Sequence, residues 1–62
     1  MTLSELRKES LRLVKEHPQH ASEIWDFYSL AVSEIEEGGS ETHECNLAYN
    51  DITELINNPE EL

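Results

Sequence analysis

Apolar residues recur every three or four positions along three successive stretches of this chain, with a proline-containing break after the first and a glycine pair after the second. In the first stretch Leu3, Leu6, Ser10, Leu13, Val14 and His17 share one face at about 100° per residue, and Glu5, Lys8, Glu9, Arg12 and Glu16 share the other. Leu11 alone sits off that apolar stripe. Thr2-Leu3-Ser4-Glu5 has the spacing of a capping box, in which hydroxyl and carboxylate each satisfy the other residue's amide, so a helix is predicted from about residue 3. Pro18 disfavours helical geometry at His17 and ends it near Glu16.

The second stretch is the richest in large side chains. Ala21, Ile24, Tyr28, Ala31 and Ile35 follow helical spacing, flanked by Trp25, Phe27 and Val32, a stripe wide enough to meet two neighbours. Phe27 and Tyr28 are expected in the core, with Trp25 covering its edge, while Leu30 points away. Pro18 suits the first turn leading into this helix, and Ser22 offers a second cap. Gly38-Gly39 is the clearest stop, because glycine adopts the left-handed conformation that closes a helix. Ser40 or Thr42 then caps a third helix, whose apolar face is Cys45, Ala48, Tyr49, Ile52, Leu55 and Ile56, with Leu47 off the stripe. Asn57-Asn58-Pro59 reads as its end.

These patterns predict an all-α fold, a small three-helix bundle with short turns. Residues 1–58 form one helical domain, with helices at about 3–16, 20–37 and 42–57, and residues 59–62 form an acidic tail. The alternative packing is a hairpin of the last two helices that dimerises, with the first helix laid across it. Neither an internal repeat nor strand-like alternation is visible.

Charge separates the first helix from the rest. Arg7, Lys8, Arg12 and Lys15 are all the basic residues of the chain and stand beside Glu5, Glu9 and Glu16, a local balance of +1, whereas positions 17–62 carry −11 within a total of −10. Such a surface repels phosphate and anionic lipid and attracts basic protein surfaces, so the expectation is no direct nucleic-acid contact and no membrane association. No apolar run approaches the roughly 20 residues that span a bilayer. One cysteine in 62 residues excludes an intramolecular disulfide and fits a reducing, cytoplasmic setting.

His17, His20, His43 and Cys45 are the candidate metal ligands. If residues 43–45 are helical, His43 and Cys45 stand roughly 200° apart around the axis and do not face one ion. The expectation is no metal and no cofactor, with His17 and His20 as solvated turn residues and Cys45 as a small core side chain. No carboxylate is matched with a nucleophile-and-base set, and a bundle of this size offers little pocket volume, so an enzyme is not expected.

The residues left for recognition are Trp25, Leu30 and Leu47, with the acidic helix end Glu34, Glu36 and Glu37. Two outward leucines converging on one side would make an apolar patch rimmed by acid, the anatomy of a protein-binding surface. The sequence therefore points to a small acidic module, an adaptor or inhibitor of a basic protein surface that mimics nucleic-acid charge. The alternative is a self-associating structural or regulatory bundle, a homo-oligomer.

Overall fold

The computed structural model of the chain describes residues 1–57. Three helices account for most of it: α1 (Leu3–Glu16), α2 (Ala21–Glu36) and α3 (Glu41–Asn57). The acidic tail expected at 59–62, and the stop signal at Asn58 and Pro59, lie outside the described residues.

Each helix end has a local chemical cause. At the start of α1 the capping box is formed: the Glu5 amide donates to Thr2 Oγ1 at 3.2 Å and the Thr2 amide donates to Glu5 Oε1 at 2.8 Å. Between α1 and α2 the chain makes a single 3-10 turn, Pro18–His20, with proline at a position where no amide is required. No side chain caps α2, and Ser22 lies inside that helix. The Pro18 turn, continuing directly into α2 at Ala21, takes the place of the expected cap.

Helix α2 closes in a Schellman arrangement. The Gly39 amide donates to the Glu34 carbonyl at 2.8 Å and the Gly38 amide to the Ile35 carbonyl at 3.0 Å, with Gly38 at φ +107°. A side chain at Gly39 would stand 2.9 Å from the Glu34 carbonyl oxygen, so both glycines are required, for different reasons. Ser40 then caps α3, its Oγ accepting from the His43 amide at 3.3 Å.

The helices run up, down and up. The Leu3 amide donates to Glu41 Oε2 at 2.8 Å and the terminal ammonium of Met1 to Asn46 Oδ1 at 3.3 Å, which fixes the beginnings of α1 and α3 at one pole. The C-terminus of α2 lies at that pole as well, through the short Gly38-Gly39 connection. Glu34, Glu36 and Glu37 oppose the dipole of their own helix, at the pole where α1 and α3 begin.

The core is a file of aliphatic and small side chains: Leu6, Ser10 and Leu13 from α1, Ile24 and Ala31 from α2, and Cys45, Ala48 and Ile52 from α3. Fully burying a leucine or isoleucine contributes about 1.5–3 kcal/mol, so Leu6, Ile24 and Ile52 are the principal anchors. Phe27 and Tyr28 are only partly buried, contrary to expectation, and pack around the edge of this file with Leu3, Val14 and Ile35. Three helices enclose one narrow layer, which aliphatic side chains fill and flat aromatic rings overrun. The α2–α3 contact is the most extensive and α1–α3 the least.

Candidate functional site

Two of the three outward leucines converge. Leu30 on α2 is 59% exposed and Leu47 on α3 is 46% exposed, and together they form the walls of a groove of about 240 Å³ on the solvent side of the α2–α3 contact. Ala31 and Ala48 make its floor. These are core residues with one-carbon side chains, so little side-chain bulk fills the seam and the exposed leucines stand above it. Glu34 and Glu44 flank the groove near the glycine turn, and Asp51 flanks it further along. Phe27 supplies an aromatic wall and leads, with Asp51, into a shallower continuation bordered by Glu54 and Leu55.

Helical spacing explains why acid surrounds each leucine. Glu34 follows Leu30 by four residues, while Glu44 and Asp51 stand three before and four after Leu47, so each carboxylate shares a face with its leucine. The result is an apolar strip bordered by one carboxylate on the α2 side, Glu34, and two on the α3 side, Glu44 and Asp51. The lining side chains carry only hydrocarbon and carboxylate. An entering basic side chain would meet partial desolvation by Phe27 and the leucines, which strengthens its attraction to the rim.

The sequence-predicted residues divide. Leu30, Glu34 and Leu47 are brought together in the groove. Trp25 precedes Leu30 by five positions, about 140° around the helix, and therefore lies on the other flank of α2. There it is half-buried, edge-on to Tyr28 with ring centroids 5.6 Å apart and an interplanar angle of 86°. Glu36 is turned about 120° from Leu30, and Glu37 is the helix cap; neither lines the groove. Phe27, Glu44 and Asp51 were missed, although their three- and four-residue spacing to the outward leucines was the signal that finds them.

The histidines and the cysteine are not assembled. His43 and Cys45 belong to the pole where α1 and α3 begin, whereas His17 and His20 belong to the opposite one, about 20 Å away along a helix of α1's length. Cys45 is completely buried; burial first, and the nearby Glu41 carboxylate second, push its thiol above the ordinary range. Among the described residues no helix is long and apolar enough to cross a membrane.

No family model, curated protein or solved structure matches the chain.

Proposed function

We propose that this protein is a small binding module whose α2–α3 groove takes a helical protein segment bearing an apolar side chain between basic ones. The observation that carries this reading is the convergence of Leu30 and Leu47, both substantially exposed, on one acid-rimmed groove. An apolar centre supplies affinity by losing water, and the carboxylate rim supplies orientation and fast encounter with a cationic partner. Binding rather than catalysis also accords with a lining of hydrocarbon and carboxylate. The excess negative charge on α2 and α3 suits an adaptor or inhibitor that occupies a basic surface otherwise used for nucleic acid. A cytoplasmic setting fits a chain with a single, buried thiol.

A labelled amphipathic helical peptide with leucine between lysines tests the proposal by fluorescence anisotropy. The wild-type protein should bind it, more weakly as salt is added, and the doubly substituted Leu30→Ser, Leu47→Ser protein should bind at least about tenfold less tightly, roughly 1.4 kcal/mol. Equal affinity of the two proteins, or equal binding of a peptide with glutamate in place of lysine, would remove the groove from consideration.

A further inference from the structure

The third outward leucine lies on a surface that is the charge complement of the groove. Leu11 on α1 is 42% exposed. Arg7 and Lys15 stand four residues before and after it, so the three share one row, with exposed Lys8 alongside. The acids of α1 keep to a different strip. Glu9 and Glu16 both engage Arg12, at 2.6 and 3.1 Å, and its guanidinium is held above its usual range by donating to Glu9 first and Glu16 second. Among the described residues Arg7, Lys8 and Lys15 enter no ion pair.

The two surfaces match in order and scale. On α1 the row reads base, leucine, base, and spans about 12 Å from position 7 to position 15. On α3 it reads acid, leucine, acid, and spans about 10.5 Å from position 44 to position 51. We infer that the α2–α3 groove of one copy receives the Arg7-Leu11-Lys15 row of a second copy. This rests on the groove reading above and names its occupant. Leu11 enters between Leu30 and Leu47, and the flanking bases meet Glu34, Glu44 and Asp51. Donor and acceptor surfaces are different patches of the same chain, so the contact is heterologous and each added copy presents a fresh groove or a fresh row, giving a ring or an open chain.

Net repulsion sets the conditions under which this occurs. Each copy carries −10, and copies stacked across their 22 and 16 Å minor axes have centres about 20 Å apart. That exceeds two Debye lengths at physiological salt, about 8 Å each, so the overall repulsion is strongly damped while contact pairs persist.

The test is complementation in full-length protein at about 0.15 M salt. A row variant carries Leu11→Glu and Lys15→Glu, and a groove variant carries Leu30→Glu and Leu47→Glu, so that the two altered patches repel each other as well; all four positions are exposed, and circular dichroism confirms that each protein is folded. By sedimentation equilibrium from about 10 µM to about 1 mM, the range expected of a small interface, the weight-average mass of the wild type should climb past twice that of the monomer. Each variant alone should remain monomeric, and an equimolar mixture should form a dimer that grows no further. A wild type monomeric throughout, a variant that still associates alone, or a mixture that stays monomeric overturns the inference. If the lysine-leucine peptide still binds the groove in that case, only the second copy is excluded; if it does not bind, the groove reading fails with it.

Discussion

Ser10 is wholly buried on α1, and among the described residues its hydroxyl has no hydrogen-bond partner. An unsatisfied buried hydroxyl costs about 1–3 kcal/mol, and alanine is also the better helix former, so Ser10→Ala should raise stability by about 1–2 kcal/mol in urea denaturation. An unchanged or lowered midpoint would show that the hydroxyl is satisfied in solution. Cys45 makes a second residue-level prediction. Its folded thiol titrates above the unfolded one, so above about pH 8.5 the unfolded chain gives up the proton first and stability falls as pH rises. The contribution is fully present below that pH, and Cys45→Ala should flatten the alkaline slope measured by denaturant midpoints. Both residues were legible as core positions from helical spacing, because a seven-residue repeat returns nearly to one face. The missing partner of Ser10 was not, since it depends on what α2 and α3 place opposite.

At the scale of elements, the signals that lie within a few residues of each other were readable. The Thr2-Glu5 box, the Pro18 turn and the Gly38-Gly39 stop are contacts between near neighbours in sequence. The bond from the Leu3 amide to Glu41 joins residues 38 apart and became visible only with the up-down-up order of the helices. Glu41 holds the helix pair that packs least, so it acts as a cap supplied by one helix to another. Glu41→Ala should cost about 1 kcal/mol of stability and speed amide exchange in the first turn of α1. Exchange at Leu3 that is indifferent to the substitution would remove this role from Glu41.

For the molecule as a whole, the segregation of charge is plain in the sequence, and the three-helix architecture follows from periodicity. What periodicity left open was which outward residues would meet. Leu30 and Leu47 are on different helices, and only the antiparallel seam over Ala31 and Ala48 sets them side by side. The same seam sends Trp25 to the other flank of α2, although a lone tryptophan looks like an anchor in the sequence. Where the peptide binds is the decisive property, and a nuclear magnetic resonance titration of isotope-labelled protein with the lysine-leucine peptide reports it residue by residue. The largest shifts should fall on Leu30, Ala31, Glu34, Leu47 and Asp51 and shrink as salt is added. Shifts centred on Trp25 and Tyr28, or none at saturating peptide, would contradict binding in the α2–α3 groove.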